Sequence, residues 1–183
     1  MEKVTTVDDH KIINGIDVDA FQSALEVVGS QPTAKHASKA SRVRWVDGLK
    51  FKAFVRNHSF MVDEPAHLTG DDTSPNSVEY VLGAYGACLA TGFVMNATKR
   101  GIKIRNLEVS LESTQNNVFT FLGLNPSTEG HPGFEEVKAK LFVQAEADEA
   151  TLREIWEHTI ITSPVHNCLA RNVAIKPEVD ILP

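Results

Sequence analysis

The residues of this sequence best suited to chemistry are two thiols, Cys88 and Cys168. A thiolate attacks peroxides, disulfides and acyl groups, but it forms readily at neutral pH only beside a cation or a hydrogen-bond donor. Cys88 sits in Tyr85-Gly86-Ala87-Cys88-Leu89-Ala90, where small neighbours let another segment or a ligand come close. Free cysteine is also among the most buried residue types, so two readings stay open: a nucleophile and a core filler. Cys168 belongs to Ser163-Pro164-Val165-His166-Asn167-Cys168, expected as a loop after a helix. His166 would favour its thiolate if the two side chains meet; otherwise both are ordinary surface residues.

Other constellations offer less. Two cysteines are too few for a disulfide scaffold and lack CxxC spacing. The seven histidines are scattered, with no HExxH, and neither a GxSxG elbow nor a glycine-rich phosphate loop occurs. Asp71-Asp72 reads as a solvated turn. The expectation is therefore chemistry without metal or organic cofactor. A net charge of -6 and the absence of any Lys/Arg run argue against nucleic acid or anionic lipid as partner. The first 15 residues lack the apolar stretch of a signal peptide, and no window reads as the roughly 20 apolar residues that span a bilayer. A soluble, cytoplasmic protein is expected.

The elements that must position the thiols are legible from pattern. With 42% apolar residues in 183, one domain with a real core is expected over 41–183, preceded by an extension over 1–40. Within the extension, Asp17 caps an amphipathic helix carrying Val18, Phe21, Leu25 and Val28 and closed by Gly29. A hairpin turning at Asp47-Gly48 follows, its second strand running on to Val62 before Asp63-Glu64-Pro65. A polar loop over His67 to Asn76 leads to a long helix that starts at Ser74-Pro75 or Ser77 and ends near Lys99. Val78, Val81, Leu82, Tyr85, Leu89 and Phe93 recur at helical intervals, with small residues filling much of the remaining surface, as in a helix buried on most sides. Three strands are then expected, over Leu107 to Leu111, Val118 to Leu124 and Val137 to Val143, with Asn125 to Gly133 as a loop. A helix capped by Asp148 stops near Ser163, because Pro164 disfavours helix in the residue before it, and a last strand over Val173 to Ile181 closes the domain.

The run Ser74-Pro75-Asn76-Ser77-Val78-Glu79-Tyr80-Val81-Leu82-Gly83-Ala84-Tyr85-Gly86-Ala87-Cys88 resembles the OsmC/Ohr superfamily, in which a polar, proline-containing loop opens a central helix bearing the peroxidatic cysteine. Trp45 to Gly48, Asp63-Glu64-Pro65 and Ser163-Pro164-Val165 match in order, so the resemblance covers about residues 40 to 183. It implies an α+β, OsmC-like fold: antiparallel sheets wrapped around long central helices in an intertwined homodimer, with a site at each side of the subunit interface. The activity it implies is reduction of organic hydroperoxides and hydrogen peroxide by a thiolate, which a second cysteine resolves and an Arg/Glu pair tunes.

Carried over by position, Cys88 falls on the peroxidatic cysteine. The resolving position falls on Ser163, a serine, with Cys168 five residues on. The arginine position falls near Val46, and Arg44, two residues earlier on the same strand face, is the candidate substitute. In the peroxide-reducing branches the glutamate stands ten residues before the cysteine, at Val78 here, whereas Glu79 is nine before; a less characterised branch has that nine-residue spacing together with Ser-Pro-Val. Nine residues put Glu79 on the far side of a straight helix from Cys88. Two functions follow from the resemblance. One is a thiol peroxidase of the stress response, using Cys88, Cys168, Glu79 and Arg44 on a small hydroperoxide, with Cys168 or an external thiol reductant regenerating Cys88. The other is a non-catalytic dimer binding a small apolar ligand at the subunit interface. Acyl transfer through Cys88 is a third chemistry, with no added base in view.

Overall fold

A computed structural model describes residues 11–124 and 130–182. Residues 1–10 of the expected extension and 125–129 of the expected Asn125 to Gly133 loop lie outside the described residues. The described chain begins with a short hairpin that pattern reading passed over, β1 (Ile12–Ile13) and β2 (Ile16–Asp17). Asn14 and Gly15 turn it with φ of 53° and 76°, as an Asn-Gly dipeptide does readily. The Asn14 amide donates to Thr98 Oγ1 and to the Ile102 carbonyl, both at 3.0 Å, and its own oxygen accepts the Ile104 N–H at 2.8 Å. This pins the N-terminal segment to the main body. Helix α1 (Val18–Gly29) follows as expected, with the Asp17 carboxylate accepting the Ala20 N–H at 3.0 Å. It buries none of its residues within the chain.

A three-stranded antiparallel meander comes next: β3 (Arg42–Asp47), β4 (Lys50–Val55) and β5 (His58–Val62). Two details differ from expectation. The first turn is Gly48-Leu49, because Asp47 pairs with Lys50, and positive φ is needed at Gly48 alone. The second strand does not run on to Val62; Val55 pairs with His58 across a tight turn at Arg56, whose φ is 54°. Arg-Asn is a weak turn signal, but the apolar alternation of Phe51, Ala53 and Val55 breaks at Asn57 and Ser59 and resumes out of phase at Phe60 and Val62.

Helix α2 (Ser77–Lys99) is the spine of the molecule. Asn76 caps it rather than Ser74, accepting the Glu79 N–H at 2.9 Å while the Glu79 carboxylate accepts the Asn76 N–H at 2.8 Å. The main core lies along the C-terminal half of α2, where Phe93 and Ala97 meet Ile102 and Ile155. A long antiparallel pair, β6 (Ile104–Gln115) and β7 (Phe134–Ala145), supplies Leu107, Leu141 and Val143 to it. Helix α4 (Glu149–Thr162), capped by Asp148 as expected, supplies Leu152, Ile155 and Trp156.

Four expectations are corrected. Val118–Phe121 is a short helix, α3, not a strand: Asn117 caps it by accepting the Phe119 N–H, and β6 and β7 pair with each other, leaving no edge between them. Pro164 does not begin a loop but a further helix, α5 (Pro164–Ala170), in which the ring takes the first helical turn, where no N–H is missed. Val173 to Ile181 keeps its apolar alternation yet pairs with no strand among the described residues, leaving Ile175 84% and Ile181 89% exposed. Lastly, α2 does meet the requirement for crossing a bilayer by length and composition alone, and only 22% of its most apolar stretch is buried inside the chain.

Candidate functional site

Cys88 stands at the middle of α2, half-buried. One turn further on, Gly92 lets α4 come close: a Cβ there would lie 2.9 Å from Thr159 Cγ2. From this crossing, one turn back along α2 reaches Cys88 and one turn forward along α4 reaches Ser163. The two side chains meet, with the Ser163 hydroxyl donating to Cys88 Sγ at 3.2 Å. Ser163 is 4% exposed and serves two helices, ending α4 through its extended backbone (ψ 121°) and capping α5 by accepting the His166 N–H at 3.2 Å.

The sulfur opens onto a groove of about 640 Å³ between α2 and α4. Ala84, Ala87, Thr91 and Met95 form its floor, Thr162 and Pro164 its opposite wall, and Lys99 and His158 lie toward its far end. On the other side of Cys88, the buried Tyr85 hydroxyl and His166 Nδ1 lie 2.8 Å apart. Burial, and then the proximity of Cys88, raise the Tyr85 phenol above its ordinary range, so it stays protonated.

Of the residues singled out from sequence, the fold joins none of the other three to Cys88. Glu79 is spent on the N-terminus of α2, about 13 Å along the axis from Cys88. Burial, and then the charges of Glu79 and Asp63, push the Glu64 carboxyl upward. Arg44 lies in β3 with its guanidinium 6.0 Å from the Phe54 ring centre. Cys168 is exposed on α5, and the His166 imidazole pairs with the Tyr85 hydroxyl. Among the described residues, no hydrogen bond or ion pair links Cys88 to any of these three.

Two residues matter more than pattern reading suggested. Pattern reading gives Ser163 only the end of a helix, and the Ser-Pro pair is the local signal for its capping role. Asp63 was read as a strand terminator. Its carboxylate is 1% exposed and accepts from Glu64 N at 2.9 Å, Thr73 N at 3.0 Å and Thr73 Oγ1 at 2.8 Å, folding the loop that delivers α2. The Thr73 amide first, then its hydroxyl and the neighbouring amides, hold that carboxyl below the usual range.

Residues 70–178, more than half of the chain and including Cys88, Ser163 and Tyr85, match the family model for OsmC-like proteins. The chain belongs to the OsmC-like family. Solved structures agree on the OsmC-like fold. An OsmC-like protein from Mycoplasma pneumoniae superposes with a TM-score of 0.62 at 17% identity, over 73% of this chain and 88% of that one. An OsmC-like protein of unknown function from Vibrio cholerae gives 0.59 at 9%, over 73% and 94%. A second Vibrio cholerae protein, called an organic hydroperoxide resistance protein and holding captopril in one of its active sites, gives 0.50 at 11%, over 74% and 86%. No curated protein matches the sequence.

Proposed function

We propose that this OsmC-like protein is a thiol-dependent peroxidase of the cytoplasmic stress response, with Cys88 as nucleophile and an external thiol as reductant. The observation that carries the reading is the placement of Cys88: a half-buried sulfur that receives a hydroxyl hydrogen bond and faces an open groove. A thiol serving only as core filler would be closed in. In the first step the Cys88 thiolate attacks the terminal oxygen of a hydroperoxide; an S–O bond forms, the O–O bond breaks, and the departing alkoxide takes a proton from water to leave as an alcohol. The small, apolar floor of Ala84, Ala87 and Met95 suits an organic hydroperoxide. That some proteins of this fold are called organic hydroperoxide resistance proteins is consistent with this substrate class.

The working unit is a homodimer in this reading. Exposed apolar side chains lie on β3 (Val43, Trp45, Val46), at Val81 on α2 and along the C-terminal segment, and isolated soluble domains rarely leave large apolar patches open. A second copy covering them would also close the groove from its open side. Arg44 and Glu79 reach Cys88 in this proposal only if that assembly brings them there.

A binding role is the competing reading, favoured by one observation: within the chain no cation contacts Cys88 among the described residues. Consumption of cumene hydroperoxide under an external thiol reductant separates the two. The peroxidase reading expects turnover in wild type and its loss in Cys88→Ser with the fold intact. Equal rates in both would leave the groove as a pocket for a small apolar ligand.

A further inference from the structure

We propose that Ser163 is a working part of the site: its hydroxyl proton is directed at the Cys88 sulfur. It also occupies the place from which a thiol of this chain would close a disulfide, so oxidised Cys88 is left to a monothiol from outside. The inference rests on the peroxidase reading for its chemistry and on the fold for its geometry.

A serine hydroxyl has one proton and two lone pairs. One lone pair of Ser163 Oγ takes the His166 N–H at 3.2 Å, and the proton has the sulfur 3.2 Å away as its acceptor. The oxygen cannot turn aside easily. Its backbone is fixed between α4 and α5 by Pro164, and the Asn167 amide donates to the Ser163 carbonyl at 2.8 Å. A hydrogen bond from a fixed donor favours the charged over the neutral form of the acceptor, and charge-assisted bonds are the stronger kind. The hydroxyl therefore stabilises the attacking thiolate, and the same direction of donation persists to the sulfenic oxygen or sulfur after oxidation.

The second half of the inference follows from distance. A disulfide needs sulfurs about 2.05 Å apart on Cα atoms roughly 4.4 to 6.8 Å apart. A side chain whose γ atom already lies 3.2 Å from Cys88 Sγ occupies that position, and here the γ atom is an oxygen that forms no such bond. The second thiol of the chain, Cys168, is exposed and five residues along α5, about 7.5 Å of helix rise from Ser163. Regeneration then proceeds in two exchanges. An external thiolate attacks the Cys88 sulfenic sulfur; an S–S bond forms, the S–O bond breaks, and the hydroxyl leaves as water after taking a proton. A second external thiol attacks the external sulfur of that mixed disulfide and releases Cys88 as thiolate. One hydroperoxide and two thiols give one alcohol, one water and one external disulfide. Cys88 is thus a site of reversible S-thiolation by monothiols.

Full-length wild type, Ser163→Ala and Ser163→Cys test this. Without peroxide, iodoacetamide should alkylate Cys88 about tenfold more slowly at pH 7 in Ser163→Ala, the loss expected for one hydrogen bond to a charged group. An unchanged rate overturns the role of the hydroxyl. After one equivalent of cumene hydroperoxide, wild type should react with dimedone at Cys88, and with β-mercaptoethanol it should carry one mixed disulfide there. Ser163→Cys should instead lose two hydrogens, mapped to a link between residues 88 and 163, and give no dimedone adduct. A wild-type link between Cys88 and Cys168 overturns the external step, as does a folded Ser163→Cys that forms no link. If wild type consumes no hydroperoxide while Ser163→Ala is still alkylated more slowly, the hydrogen bond stands and the peroxidase reading falls.

Discussion

The two halves of α2 have similar compositions and different fates. In the C-terminal half, Leu89, Phe93 and Ala97 are completely buried, Phe93 and Ala97 in the core shared with α4 and the β6–β7 pair, and Asn14 ties the end of the helix to the N-terminal hairpin. The N-terminal half meets the meander mainly through Tyr80, whose hydroxyl donates to the Met61 carbonyl at 2.7 Å and whose ring centre lies 4.8 Å from that of Phe60. Around it, Val81 stays open and the meander leaves Val43 60% and Trp45 67% exposed. One half of the spine is a finished core, and the other has the surface of a core without its second side. The change comes close to Cys88: Tyr85 and Gly86 just before it are already buried, while Ala84 and Ala87 stay exposed.

The sharpest way to break the comparison is to weaken the finished half. Phe93→Ala removes a fully buried ring from the core and should cost about 3–5 kcal/mol, read as a fall in the denaturation midpoint. A loss below 1 kcal/mol would mean that this half is not the stability centre. The unfinished half should respond through association instead. Replacing both Val43 and Trp45 by Glu should weaken dimerisation by about 2 kcal/mol or more, seen by sedimentation, with the secondary structure retained. A wild type that is monomeric at micromolar concentration would remove the assembly half of the comparison.

At the boundary, Gly92→Ala forces a methyl group against Thr159 and should cost about 1–3 kcal/mol. It should also slow Cys88 alkylation, because separating α4 from α2 lengthens the Ser163 contact. Wild-type stability and reactivity together would show that the close approach is not needed. The smallest effect concerns the loop that delivers α2. Asp63 has a folded-state value below the ordinary carboxylate figure of about 3.9, so its contribution is complete above that figure and lost as pH falls through the folded-state value. Asp63→Asn should therefore lower the melting temperature at pH 6 and flatten its decline as pH falls below about 4. Parallel wild-type and variant curves over that range would contradict this role.

What the sequence determined by itself were the features whose causes are local. Asp17 and Asp148 cap their helices because a short carboxylate reaches amides three residues ahead, and the periodicity from Val78 to Phe93 specifies a helix whatever surrounds it. The segment around Cys88 was distinctive enough to indicate the family. The Asn14-Gly15 turn was equally local and could have been read. Tertiary structure alone decided the rest. Whether apolar alternation becomes a strand depends on a neighbouring edge: β6 found β7, while Val118–Phe121 became helical and Val173 to Ile181 pairs with no strand among the described residues. The meeting of Ser163 with Cys88, 75 residues apart in sequence, depends on how closely α4 crosses α2, which Gly92 permits and no spacing along the chain encodes. Local rules act through bonds and adjacent turns, whereas the site depends on contacts that exist only once the chain has closed on itself.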